Sequence, residues 1–208
     1  MPVGSVCNNN CIFCMESDRD ERYTRIQKLD DEDIKTTLKE GRDLGKVIFT
    51  SGEPTLNPNL KTYIQMANDI GYRVVSIVTN GRMMCYPEFA RSLVEAGLSE
   101  IIISLHSSDA RKHEKITRAP GSFSQSARGL RNLTLLKKEF RFDLHLSQVV
   151  CRVNVDDLHR DYLAFSRFGA DTIVYNTLMP QGRAERKPML LRYSTIVDAL
   201  SAFVDMLD

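Results

Sequence analysis

The chain has 208 residues, is 42% hydrophobic and 26% charged, and carries a formal net charge of +1, the balance of an ordinary globular domain. A charge so near zero gives no long-range field for nucleic acid or an anionic membrane surface, and no apolar run approaches the roughly 20 residues of a membrane span. The N-terminus lacks a basic stretch followed by an apolar one, so no secretory signal is read, and the few clustered cysteines fit a reducing cytoplasm.

A short β-branched run followed by a helix-period segment recurs six times along the chain, which predicts βα units on a parallel sheet. The first strand is expected at Val3–Val6, ending at Cys7. Ile34, Leu38, Gly41 and Leu44 then share one helical face, with Asp30, Asp31, Glu32 and Asp33 at its start and Gly45 as its stop. The second strand is read at Val47–Thr50. Asn57 caps the next helix, Pro58 begins it and Gly71 ends it. Arg73–Thr79 is the third strand, followed by a helix from Pro87 to Gly97. The apolar run in Glu100–Leu105, the fourth strand, suits burial on both faces. A helix near Ser124–Glu139, a fifth strand at Asp143–Val150, a helix at Asp156–Phe168, a sixth strand at Asp171–Thr177 and a helix from Ser194 complete the series.

Six units make about three-quarters of an eight-unit barrel. The expected fold is therefore α/β: a partial (β/α)6 TIM-like barrel with parallel strands, one domain over residues 1–208 with a lateral opening. The final helix has no glycine stop and carries Asp205 and Asp208 at its negative end, so the domain is expected to be the core of a longer chain.

Three of the five cysteines lie within eight residues, as Cys7-Asn8-Asn9-Asn10-Cys11-Ile12-Phe13-Cys14. No fourth cysteine or histidine follows closely. A structural zinc site normally closes with four ligands, and the usual iron–sulfur cluster also takes four cysteines. Three thiolates on one loop suit a cluster with one iron left open, with zinc and a redox-idle cluster as the alternatives.

Parallel βα folds place ligands at the C-terminal strand ends. Here those ends read Cys7, then Thr50-Ser51-Gly52-Glu53-Pro54, Thr79-Asn80-Gly81, Ser104-Leu105-His106-Ser107, Cys151-Arg152-Val153-Asn154 and Tyr175-Asn176-Thr177. Alternate side chains of a strand share a face. Ser51 pairs in this way with Glu53, Ser104 with His106, and Gln148 with Arg152 and Asn154. Gly52 permits close backbone approach and Pro54 fixes the chain after Glu53, which would hold a carboxylate on the rim to accept from an ammonium group.

Together the CxxxCxΦC loop (Cys7, Cys11, Phe13, Cys14) and the GGEP-type segment (Ser51, Gly52, Glu53, Pro54) resemble the radical S-adenosylmethionine superfamily. Ser51 stands where that family has glycine. The resemblance implies that Cys7, Cys11 and Cys14 hold three irons of a [4Fe–4S] cluster and that S-adenosylmethionine chelates the fourth. It implies cofactor contacts for Phe13 along the adenine and for Ser51, Gly52 and Glu53 at the methionine ammonium. Ser104 and His106 would meet the methionine or ribose, Arg152 and Asn154 the carboxylate or ribose, and Leu178 and Met179 the adenine pocket. Asn80 would face cofactor or substrate. It further implies an external flavodoxin- or ferredoxin-like one-electron donor, and a 5′-deoxyadenosyl radical that takes hydrogen from a peptide or small molecule. No protein side chain is required as a general acid or base, because the cofactors carry the chemistry.

Two function classes stay open: this enzyme, and a non-catalytic iron–sulfur module for electron transfer or sensing. Cys85 and Cys151 read first as packed residues, with extra ligands or substrate-linked thiols as the alternatives, and of His106, His113, His145 and His159 only His106 lies on the rim. Arg111, Lys112, Lys115 and Arg118 read as one basic loop, and Arg183, Arg186 and Lys187 as another. The segment Met179–Ala184 resembles one found in peptide-modifying members of the superfamily.

Overall fold

The computed structural model describes residues 1–16, 30–186 and 190–207; Lys187, the side chain of Arg186 and Asp208 lie outside them. Five strands form one sheet, β1 (Lys46–Phe49), β2 (Val74–Thr79), β3 (Glu100–Ser104), β4 (Asp143–Val150) and β5 (Thr172–Thr177). Spatial order follows chain order, every pairing is parallel, and the sheet is open. This is the expected parallel α/β architecture of a partial barrel.

The predicted first strand differs. Residues 1–3 run beside β1 through the single bridge Pro2–Thr50, with Val3 N–H donating to Thr50 O at 3.0 Å and Thr50 N–H to Met1 O at 3.0 Å. Pairing stops there because β1 turns aside at Ser51 and Gly52, whose φ values are 78° and 55°.

Helices α1 (Asp31–Glu40), α2 (Leu60–Ile70), α3 (Pro87–Glu95), α4 (Ala110–Thr117), α5 (Ser122–Leu136), α6 (Leu158–Phe165) and α7 (Tyr193–Asp205) accompany the strands. Several boundaries follow from caps. Asp30 accepts from Glu32 N–H at the start of α1, and Gly71, at φ 101°, ends α2. Gly41 rather than Gly45 caps α1; Gly45 closes the short 3-10 turn Arg42–Leu44. Asn57 does not cap α2. It accepts from Asn59 N–H at 2.7 Å and donates to Val3 O at 2.6 Å, so it ties the turn to the N-terminal segment.

The stretch read as a basic loop after β3 is α4. Asp109 caps it by accepting from Lys112 N–H, Arg118 ends it at φ 51°, and His113, Ile116 and Thr117 form its buried side.

One sheet face, with Val47, Phe49, Val75, Ile77, Ile101, Ile103, Leu144 and Leu146, is buried in the main apolar cluster with helix residues such as Leu38, Ile64, Leu93 and Leu130. The alternate residues face the other side, where Ile48, Val78, Ile102, Ser104 and Ser147 are half-buried. The polar cluster on that face starts from Glu100, which accepts from Ser76 Oγ at 2.6 Å and from Lys46 Nζ at 2.9 Å. The strand ends, at the opposite edge, carry the candidate site.

Candidate functional site

The cysteine loop has no regular structure of its own; four other segments hold it. Asn10 N–H donates to Thr117 O at 2.8 Å and Ile12 N–H to Ile116 O at 2.9 Å, which fixes the loop to the last turn of α4. Glu53 N–H donates to Val6 O at 2.8 Å, just before Cys7. From the end of β2, Asn80 Nδ2 donates to Asn8 Oδ1 at 2.7 Å, and Arg82 Nη1 donates to Asn8 O and to Asn9 Oδ1. From beyond β5, Arg183 donates to Asn10 O and Cys11 O. Cys7, Cys11 and Cys14 are all half-buried, and Asn9 N–H lies 3.4 Å from Cys7 Sγ.

Ser51, Gly52 and Glu53 stand against the approach to this loop. A Cβ on Gly52 would lie 2.6 Å from Val6 O and 2.7 Å from the Ser5 carbonyl carbon, so only glycine allows the two backbones to meet. Gly52 N–H donates to Glu16 Oε2 at 2.9 Å. The Glu53 carboxylate is not on the rim as the sequence suggested. It is 3% exposed. It accepts from Thr55 N–H at 3.1 Å, Thr55 Oγ1 at 2.6 Å, Thr79 Oγ1 at 2.5 Å and Asn80 N–H at 2.7 Å. The reason is local: Glu53 is the N-cap of the 3-10 turn Pro54–Leu56, so its side chain folds back into the body. Burial pushes its carboxyl upward, and the four donors oppose that shift. Its visible work is to lock the ends of β1 and β2 together.

At the end of β3, Ser104 is half-buried and His106 buried. The Phe13 ring meets His106 edge-on, centroids 5.0 Å apart, and His106 stacks on His113 at 5.8 Å. This joins the cysteine loop, β3 and α4. Burial and the neighbouring His113 hold His106 down to about 3; burial and the charge of Arg82 hold His113 down to about 4. Both rings are therefore neutral near pH 7. Val149 N–H approaches His106 Nδ1 at 3.4 Å, and His106 N–H donates to His113 Nδ1 at 3.2 Å.

The fifth-strand residues separate. Asn154 is fully buried, and its amide is engaged with backbone, donating to His106 O at 2.7 Å and Val149 O at 2.9 Å while accepting from Cys151 N–H at 2.8 Å. Its side chain thus supports the rim from beneath. Gln148 is likewise buried, donating to His106 O and to the buried Asp161 carboxylate. Asp161 also accepts from Ser108 N–H at 2.7 Å.

Arg152 is exposed. With Arg111, Lys112, Lys115, Asp109 and Asp156 it lines a cleft of about 610 Å³, in which Lys112 also pairs with Asp157. Leu178 is half-buried after β5, and Met179 is 52% exposed. Arg183, read as a solvated charge, is 6% exposed. Arg82 and Arg183 are the residues sequence reasoning missed; the only local signal was that each follows a glycine in the segment beyond a strand.

Among the described residues, no three His, Cys, Asp or Glu side chains converge where a single metal ion could be held. Three half-buried thiols spread along one anchored loop fit a cluster, in which each thiolate takes its own iron.

The comparisons with known proteins agree. A profile of the Radical SAM superfamily matches residues 1–143, so the chain belongs to that superfamily. It is 29% identical over 187 residues to the GTP 3′,8-cyclase of Alkaliphilus oremlandii, an alignment covering 88% of this chain and 57% of that one. It is 26% identical to the AdoMet-dependent heme synthase of Methanosarcina barkeri, covering 86% and 50%. The chain thus spans about half the length of these relatives. Among solved structures, native anSMEcpe with bound AdoMet superposes with a TM-score of 0.74 at 18% identity, over 99% of this chain and 58% of the other, a likeness of fold. Among the described residues no helix is long and apolar enough to cross a membrane.

Proposed function

We propose that residues 1–208 form the core domain of a radical S-adenosylmethionine enzyme that takes hydrogen from a peptide or small-molecule substrate. Cys7, Cys11 and Cys14 would hold a [4Fe–4S] cluster, and S-adenosylmethionine would complete it. The observation that carries this reading is the cradle at Gly52. The turn that would receive the methionine ammonium is pressed against the backbone leading into Cys7, at a separation that no side chain permits. An electron-transfer or sensing module has no use for that second site.

The remaining roles follow from placement. Ser51 and Gly52 present backbone to the methionine moiety, while Glu53 and Asn154 act as positioning residues from below. Phe13, Leu178 and Met179 supply apolar surface for the adenine. Ser104 and His106 stand at the ribose side, with His106 neutral and oriented by Val149 and Gln148. Arg152 offers a charge to the methionine carboxylate, and Asn80 borders both ligand spaces. A cluster held by Cys7, Cys11 and Cys14 would, once reduced by an external flavodoxin- or ferredoxin-like donor, supply the one electron needed for reductive cleavage of the sulfonium. This chain's own part is to bind, orient and exclude water. The basic cleft beside Arg152 favours a substrate with an anionic group.

The test is anaerobic reconstitution with iron and sulfide, then reduction in the presence of S-adenosylmethionine. Formation of 5′-deoxyadenosine without added substrate, lost in Cys11→Ala, is the expected result. A cluster that assembles but neither binds nor cleaves the cofactor would sink the enzyme reading and leave the electron-transfer one.

A further inference from the structure

Two arginines, far from the cysteines and from each other in sequence, converge on the backbone of the cysteine loop. Arg82 Nη1 donates to Asn8 O and, at 3.0 Å, to Asn9 Oδ1, while its Nε donates to Gln125 Oε1 at 2.6 Å on α5. Arg183 Nη1 donates to Asn10 O at 2.9 Å and Cys11 O at 3.1 Å, and Arg183 N–H donates to Cys14 O at 3.1 Å. Carbonyls at four loop positions, 8, 10, 11 and 14, are thus bound by two residues. Gly182 makes the second arm possible. Its φ is 60°, and a Cβ there would lie 2.6 Å from both Cys14 O and Met15 O.

We propose that Arg82 and Arg183 form a cationic clamp that preorganises the cluster-binding loop and raises the reduction potential of the cluster it holds. This rests on the iron–sulfur reading above. Two physical effects act together. A carbonyl bound to a guanidinium is held turned toward it and away from the thiolates, which leaves amide N–H groups to face sulfur, as Asn9 N–H faces Cys7 Sγ. Hydrogen bonds to sulfur and nearby positive charge both favour the reduced cluster, which carries one more negative charge than the oxidised one. One electron enters from the external donor; no bond in the clamp is made or broken. The segment around Gly182 and Arg183, whose sequence resembles one in peptide-modifying relatives, thereby gains a role at the cluster and not at the substrate. It also makes the cluster loop depend on chain that folds after β5.

The variants R82Q, R183Q and R183K, made in the full chain, test the clamp. Folding is checked by circular dichroism and thermal melting. Iron and sulfide content, the electron paramagnetic resonance of the reduced cluster with and without S-adenosylmethionine, and the midpoint potential are then measured. The expected result is that R82Q and R183Q fold, lose cluster iron on gel filtration and shift the potential downward. A tenfold fall in the reduced-to-oxidised ratio at fixed potential corresponds to about 59 mV for one electron. R183K, which keeps the charge but not the fork, is expected to hold the potential near wild type while broadening the resonance. Should R183Q fail to fold, R82Q and R183K carry the same comparison. Folded glutamine variants with wild-type iron content, resonance and potential overturn the clamp. A wild-type chain that takes up no iron–sulfur cluster overturns the proposed function instead.

Discussion

Ser51 stores strain in the turn that ends β1. Its φ of 78° lies in the left-handed region, which among the described non-glycine residues only Arg118 shares. An L side chain there costs roughly 1–2 kcal/mol. The position cannot relax, because Gly52 is wedged against Val6 and the next residue, Glu53, is bonded at both its N–H and its carboxylate. Ser51→Gly should therefore stabilise the fold. The gain is reduced by about 0.4–1 kcal/mol, because glycine frees the unfolded chain, and a net rise of up to about 1.5 kcal/mol is expected. Ser51→Val, whose branched Cβ adds crowding in the same conformation, should be less stable than wild type. Urea unfolding of the metal-free chain measures both, and a glycine variant less stable than wild type would refute the strain.

At the level of elements, α4 shows what the sequence concealed. Its basic residues Arg111, Lys112, Lys115 and Arg118 dominate the composition, so a helix of eight residues reads as a charged loop. The pattern that betrays it is sparse: the Asp109 cap, and His113, Ile116 and Thr117 on the inner side. The long, strongly alternating strands were legible, β4 to the residue, because their periodicity is local. The first strand was not, since one edge bridge depends on where its partner turns. The thiol loop and the Gly52 turn were legible as motifs. The inward direction of Glu53 and the reach of Arg82 and Arg183 to the loop were not, because they depend on chain segments brought together only by folding.

The buried face of α4 also predicts a pH dependence. His106 and His113 have folded values of about 3 and 4, below the ordinary value near 6.5. As pH falls below about 6.5, the unfolded chain takes protons first, so stability present at neutral pH is lost on acidification, by up to about 1.4 kcal/mol per pH unit per ring. Glu53, raised by burial, acts with the opposite sign, so the contribution of one ring is best read by difference. His113→Phe, which keeps a ring between His106 and Phe123, should flatten the fall in stability between pH 6.5 and 5 relative to wild type. Equal slopes in urea titrations of the two proteins would show that His113 accepts a proton while folded.

For the whole molecule, the open sheet makes stability uneven. Its centre is anchored by Val75, Ile77, Ile101, Ile103 and Leu144, each no more than 1% exposed. Its far edge is different. On β5, Thr172, Val174 and Asn176 are exposed, and the apolar contacts beneath it form a separate small cluster of Val150, Val155, Leu158 and Phe203. Phe203 of α7 joins that cluster by edge-on contacts with Tyr162 and Tyr175, both with centroids at 5.4 Å. A region with few buried contacts opens more easily than the core. Phe203→Ala removes the shared ring and should cost about 3–5 kcal/mol where it packs. If β5 and α7 open as a unit of their own, amide exchange there quickens while β2 and β3 keep their protection. The segment of Gly182 and Arg183 lies between β5 and α7, so opening this unit should also loosen the cysteine loop and raise exchange at the amides of Asn10 and Ile12. A uniform loss of protection across all five strands would instead show one cooperative unit, with the far edge as firmly tied as the centre.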